Sequence, residues 1–223
     1  MKVDPVELTK KLINSKSETP NGREAIIIIT DELKKFNFNC EIIERNGISN
    51  LFARWNTKNL NPTFCFNGHV DVVPAGDKSL WFNDPYKATE KNDFIFGRGA
   101  CDMKSAVAAF VSASTDTIKN SKINGSIVIT LTSDEEGVAT DGTLAILDWM
   151  QEKKQKVDHC LVGEPTCMNY VGDTIKVGRR GSLNVKITAN GTQGHVAYPE
   201  KALNPINGMS DLIFELTKSK LDE

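Results

Sequence analysis

Ser126-Ile127-Val128-Ile129-Thr130-Leu131-Thr132 is a continuous β-branched run closed by Ser133-Asp134-Glu135-Glu136-Gly137. Such a run suits a central strand of a parallel sheet, covered on both faces. Two further stretches share this form. Thr63-Phe64-Cys65-Phe66 follows Asn61-Pro62 and ends in Gly68-His69-Val70-Asp71; it is short, aromatic-rich and reads as a buried strand. Cys160-Leu161-Val162 ends in Gly163-Glu164-Pro165-Thr166, and Pro165 biases Glu164 toward extended backbone, which fixes its direction. Between these strands lie an Ala-rich helix from Ala106 to Val111 and an amphipathic one from Thr143 to Lys153. Strands alternating with helices give an α/β fold: a mixed, largely parallel sheet flanked by helices.

Upstream, Asp4-Pro5 sets a helix start, with an N-cap acid and proline at the first helical position. Thr19-Pro20-Asn21-Gly22 breaks that helix. A second runs from Arg23 to Phe36, its charged neighbours outweighing the strand propensity of Ile26-Ile27-Ile28-Ile29. Cys40–Glu44 and Ile48–Trp55 form a hairpin about Asn46-Gly47. Downstream of Ile175 the texture changes. Leu183, Val185 and Ile187 alternate with polar residues and predict a strand with one wet face. Asn204-Pro205 then opens a helix through Ile206, Met209, Leu212, Ile213 and Leu216. The boundary falls near Gly178, giving domains 1–178 and 179–223.

The chain of 223 residues is 39% hydrophobic and 25% charged, with net charge −2, which is the composition of a globular protein. It has no basic block for nucleic acid and no apolar run of about 18 residues to span a membrane. Its N-terminus has an early acid and no apolar core of a signal peptide. Cys40, Cys65, Cys101, Cys160 and Cys167 show no Cys-x-x-Cys spacing and read as reduced thiols of a cytoplasmic protein.

Set side by side, the strand ends offer His69 with Asp71, then Asp102, Glu135 with Glu136, and Glu164. Ligands of parallel sheets bind beyond the carboxyl ends of the strands, so these groups would share one crevice. Crowded carboxylates need a cation. Apart from Arg98 and Lys104 these turns carry no basic residue, so a divalent metal is the economical answer. Imidazole with carboxylates suits zinc, cobalt or manganese, and two metals about 3.5–4 Å apart would suit hydrolysis. His69 and Asp71 point to one face of an extended chain, so the aspartate can hold the metal-binding ring. Asp102 stands at a loop-to-helix junction and, read alone, is an N-cap. Neighbours on an extended chain face opposite ways, so one of Glu135 and Glu136 can bind metal while the other faces substrate. His159, at the start of its strand, reads as structural. The loop through Pro74, Trp81, Asp84 and Tyr86 either lines substrate or packs as a surface loop.

The segments GHVDVVPAG (68–76), GRGACDMK (97–104), TSDEEG (132–137), TDGT (140–143), GEPT (163–166), GRRGS (178–182) and GHVAYP (194–199) together resemble the M20 metallopeptidase family. The resemblance implies a zinc-exopeptidase-like catalytic domain followed by the start of an α+β lid that makes the homodimer. It implies two Zn(2+) per subunit, with Co(2+) possible. His69 would bind one metal, Asp102 bridge both, Glu164 complete the first site and Glu136 serve the second. Asp71 would orient His69, and Glu135 would be the general base. His195 would stabilise the oxyanion in the neighbouring subunit, and Arg179 would hold a substrate carboxylate, a task suited to a planar guanidinium. A cis peptide is expected at Asp102-Met103. The implied reaction is amide hydrolysis of a small molecule, leaning toward removal of succinate from N-succinyl-LL-2,6-diaminopimelate in bacterial lysine synthesis. An acetylornithine deacetylase, a dipeptidase or an inactive metal-binding fragment are the alternatives. Two departures stand out. Ser105 occupies a position usually held by glycine. The family also takes a histidine for its second site from a more C-terminal region, and the only histidines here are His69, His159 and His195. The expectation is a truncated chain whose second site keeps only Asp102 and Glu136.

Overall fold

The computed structural model describes residues 2–56, 58, 61–178, 181 and 183–218. Helix α1 (Pro5–Asn14) starts where Asp4 Oδ1 accepts the N–H groups of Val6 at 2.8 Å and Glu7 at 3.3 Å, two donors that have no partner inside the helix. In α2 (Arg23–Lys34) Ala25, Ile26, Ile29 and Leu33 are buried while Ile27 is exposed. That three-to-four spacing is helical, and it overrides the local preference of four isoleucines for strand.

Strands β1 (Asn39–Arg45) and β2 (Ile48–Trp55) are antiparallel. Asn46 and Gly47 both take positive φ, 48° and 84°, as a two-residue hairpin turn that follows the strand twist requires. Next come β3 (Thr63–His69) and a small hairpin of β4 (Thr89–Lys91) and β5 (Phe94–Phe96). Helix α3 (Ser105–Asn120), β6 (Ser126–Thr132), α4 (Thr143–Glu152) and β7 (His159–Val162) complete this part.

The main sheet has the order β1-β2-β6-β3-β7. β6 lies in its middle, antiparallel to β2 and parallel to β3, and β3 is parallel to β7. The sheet is therefore mixed, and its parallel part, β6-β3-β7, carries the acidic and imidazole ends to one edge. Leu8, Leu12, Ile26, Ile29, Val107 and Val111 cover one face together with Phe66, Ile129 and Leu131; Phe66 stacks on Phe110 at 4.3 Å. Trp149 and Met150 cover Phe52, Cys65 and Val128 on the other. This double cover is why the 126–132 run needs no polar face. All five cysteines are free, and no described helix is long and apolar enough to cross a membrane.

The chain divides into two compact units, Met1–Ile175 and Lys176–Glu223. In the second, α5 (Pro205–Lys218) forms over the expected stretch, and Thr192 and Leu203 form an isolated antiparallel bridge. The strand expected over 183–187 does not form: those residues have no regular structure, and Leu183 is 88% exposed. Alternation makes a strand only where a neighbour supplies a ladder and an apolar surface, and among the described residues that stretch has neither.

Candidate metal centre

The end of β3 is held in place by its surroundings. Val70 N–H donates to Thr132 O at 2.9 Å, Val72 N–H to Ser17 O at 2.9 Å and Ser17 Oγ to Val70 O at 2.6 Å. His69 is buried, and its Nδ1 lies 2.9 Å from the carbonyl oxygen of Asp71. A carbonyl only accepts, so Nδ1 carries the proton and Nε2 is the atom His69 offers to a cation. Nε2 lies 3.0 Å from Asp102 Oδ1 and 3.8 Å from Glu164 Oε1. Burial disfavours a charged ring, yet the Asp71 carbonyl and the carboxylates of Asp71, Glu164 and Glu135 outweigh it and hold the His69 pKa above its ordinary value.

Asp71 holds the ring mainly through its backbone, since its carboxylate stands 3.6 Å from Nδ1. That carboxylate, fully buried, accepts the N–H of Glu135 at 3.2 and 3.1 Å and the N–H of Glu136 at 3.0 Å. Residues 135–137 form a bend rather than extended chain, so the strand rule that sends neighbours to opposite sides does not apply. Both glutamates reach His69: ligand atoms of His69, Asp102 and Glu136 lie within 4.8 Å of one another, and so do those of His69, Glu135 and Glu164. Asp102 and Glu164, which family resemblance puts on one site with His69, both stand beside His69 Nε2, at 3.0 and 3.8 Å.

Asp102 is not a helix cap. Its φ and ψ of −120° and 102° are extended, and α3 starts at Ser105 without a side-chain cap. The Asp102-Met103 peptide is cis. Gly99, at φ 80°, opens this turn, and a Cβ there would come within 2.5 Å of Val72 Cγ1, so only glycine fits. The two basic residues of these turns are engaged elsewhere. Lys104 is 0% exposed and donates from Nζ to Leu12 O at 2.6 Å and Ser15 O at 3.1 Å, burial pushing its pKa down to about 8. Arg98 lies 5.3 Å over the Trp81 ring and donates to Pro74 O. Trp81 itself packs on Val72, Ala75 and Tyr86, while Leu80 and Phe82 of the same loop are exposed. Burial, then the like charges of Asp102, Glu135 and Asp71, raise the Glu136 pKa despite the opposing pull of His69. One imidazole nitrogen and four carboxylates crowded in this way match the donor chemistry of zinc or a similar divalent ion.

His159 opens β7, at the end away from Glu164. His195 lies in the second unit, on the wall of a cavity of about 650 Å³ with Gln193, Asn204 and Asn207. Its Nδ1 accepts the Ala197 N–H at 3.1 Å, so the neutral ring carries its proton on Nε2. Arg179 lies outside the described residues. Sequence reasoning gave no role to Asp134, and it left Lys104 as a basic residue near the site. Nothing in residue type separates an anchoring carboxylate or a buried lysine from a solvated one.

The profile of peptidase family M20/M25/M40 matches residues 65–217. The chain is 48% identical over 223 residues to a succinyl-diaminopimelate desuccinylase of Cereibacter sphaeroides, covering 100% of this chain and 59% of that protein. It is 46% identical over 220 residues to succinyl-diaminopimelate desuccinylase 1 of a Ruegeria species, covering 99% of this chain and 58% of that protein. The chain thus spans less than two thirds of these curated relatives. Among solved structures it is similar in fold to the M20 family metallo-carboxypeptidase Sso-CP2 from Sulfolobus solfataricus, with TM-score 0.61 and 20% identity over 72% of this chain and 37% of that one. It is likewise similar to a tripeptidase from Staphylococcus aureus, with TM-score 0.61 and 17% identity over 94% and 55%.

Proposed function

The chain belongs to peptidase family M20/M25/M40, and from that premise we propose that it is the metal-binding part of a cytoplasmic amide hydrolase that removes succinate from N-succinyl-LL-2,6-diaminopimelate in lysine synthesis. The substrate follows the curated relatives, at 46–48% identity. The observation that carries the reading is the convergence of Asp102, Glu135, Glu136 and Glu164 on His69.

His69, Asp102, Glu136 and Glu164 would hold the metal, Zn(2+) by donor set, with Co(2+) able to replace it. When bound, the metal supplies a Lewis acid for the amide carbonyl and lowers the pKa of water. Glu135, the most exposed of the glutamate pair, takes the proton of the attacking water and hands it to the leaving amine. Asp71 keeps His69 Nδ1 protonated, so Nε2 stays free for the cation. His195, with its proton on Nε2, would donate to the carbonyl oxygen as that atom gains charge, reaching a second subunit through a lid made from 179–223. Arg179 would hold a substrate carboxylate.

Glu135→Gln keeps the shape of the side chain but removes the base. Its hydrolysis rate should fall by about 10²–10⁴ with bound metal unchanged by elemental analysis; near-normal turnover rejects the assignment. Paired assays with N-succinyl-diaminopimelate and N-acetylornithine test the substrate, and a preference for the second replaces the desuccinylase by a deacetylase.

A further inference from the structure

Asp134 precedes the glutamate pair and is 5% exposed. Its Oδ1 accepts the Ala139 N–H at 3.1 Å and its Oδ2 the Asp141 N–H at 3.1 Å, while its own N–H donates to Thr132 Oγ1 at 3.0 Å. Asp71 takes the N–H groups of Glu135 and Glu136, at the start of the same segment. Four amides between 135 and 141 thus end on two buried carboxylates. A buried carboxylate is costly unless it is hydrogen-bonded, and bonds to a charged acceptor are roughly twice as strong as neutral ones. Asp134 therefore holds its loop more firmly than a neutral side chain would. The loop needs such a hold. Ala139 sits at φ 58°, a region that residues other than glycine, asparagine and aspartate seldom adopt. Gly137 passes so close that a Cβ would lie 2.7 Å from Thr19 Oγ1 and 3.1 Å from Asp134 Oδ1.

We propose that Asp134 is a positioning residue: it clasps the far part of the 135–141 loop, at 139 and 141, while Asp71 holds the near part, so that one turn delivers Glu135 and Glu136 together to His69. This rests on the metal-centre reading of those glutamates. The test is a cobalt(II) titration of the 223-residue chain, followed by calorimetry and visible absorption, for the wild type, Asp134→Ala and Asp134→Asn. Folding is checked by circular dichroism and the loop by amide hydrogen exchange. A folded Asp134→Ala protein should bind cobalt at least roughly ten-fold more weakly, the scale expected when an outer support of a metal ligand is lost. Its absorption band should shift and its amides at 139 and 141 should exchange faster. Asp134→Asn, which keeps one acceptor oxygen, should lose less. A purely structural aspartate would lower the melting temperature while leaving cobalt affinity and band as in the wild type, and that result overturns the proposal. If the alanine variant does not fold, the asparagine variant decides: affinity within two-fold of wild type overturns the proposal, and a several-fold loss supports it. A wild-type chain that takes up no cobalt removes the metal centre itself and this inference with it, an outcome distinct from failure of Asp134 alone.

Discussion

Asp173 shows how far a few backbone amides can move one carboxyl. The N–H groups of Met168, Asn169 and Tyr170 all end on it, and they hold its pKa down at about 2. Hydrogen bonds to the charged form are the cause. The folded pKa is below the unfolded value near 3.8, so the folded state binds fewer protons in that window. The contribution of Asp173 to stability is present above about pH 4 and disappears as pH falls toward 2. Carboxyl NMR should give a midpoint near 2, and a midpoint near 4 would reject the turn as described. Backbone amides also end on the buried Asp71 and Asp134, and there they shape the loop of the candidate site. This is where the sequence is least legible. It offers Glu135 and Glu136 as a pair on extended chain, for which opposite faces are the correct expectation. The bend that turns both to one side comes from amides bound to residues 71 and 134, a contact that residue type alone does not encode.

At the scale of elements, local chemistry predicts well wherever an element completes its own hydrogen bonds. The Asp4-Pro5 start of α1 and the Asn46-Gly47 turn between β1 and β2 are of this kind, and both are visible in sequence. The 183–187 stretch is the opposite case, since its alternation needs a neighbour that no described residue provides. Two substitutions outside α1 test what holds its two ends. Asp4→Ala removes an exposed cap and should lower stability by about 0.5–2 kcal/mol. Lys104→Met leaves the Ser15 carbonyl buried without its Nζ donor, while the Leu12 carbonyl keeps the Ser15 Oγ–H at 2.8 Å, at a cost of about 1–3 kcal/mol. Urea unfolding of both proteins measures the difference. Only the second should also weaken metal binding, because Lys104 ties α1 to the turn that carries Asp102. Equal metal affinity in the two variants would show that α1 is mechanically independent of the site.

For the whole molecule, the apolar runs mark the buried strands, and the site follows from where those strands end. β6, β3 and β7 run parallel, so residues far apart in sequence meet at their carboxyl ends. Donor arithmetic then sets how much metal the chain can hold. Of its three histidines, His69 is at the cluster, His159 is at the other end of β7 and His195 is in the second unit. The first metal can take the one imidazole together with carboxylates. Within the first unit a second ion would have only the remaining carboxylates and water, and would sit beside a like charge. Neutral nitrogen adds affinity for zinc without adding like-charged neighbours, whereas each further carboxylate repels those already crowded around Glu136. Equilibrium dialysis followed by elemental analysis should therefore find one tightly held zinc in the 223-residue chain, with any second zinc bound more weakly. His69→Ala should abolish the tight site while the core stays folded. Two equally tight zinc ions per chain would mean that a nitrogen ligand comes from elsewhere, with His195 of a second subunit the first to test by substitution.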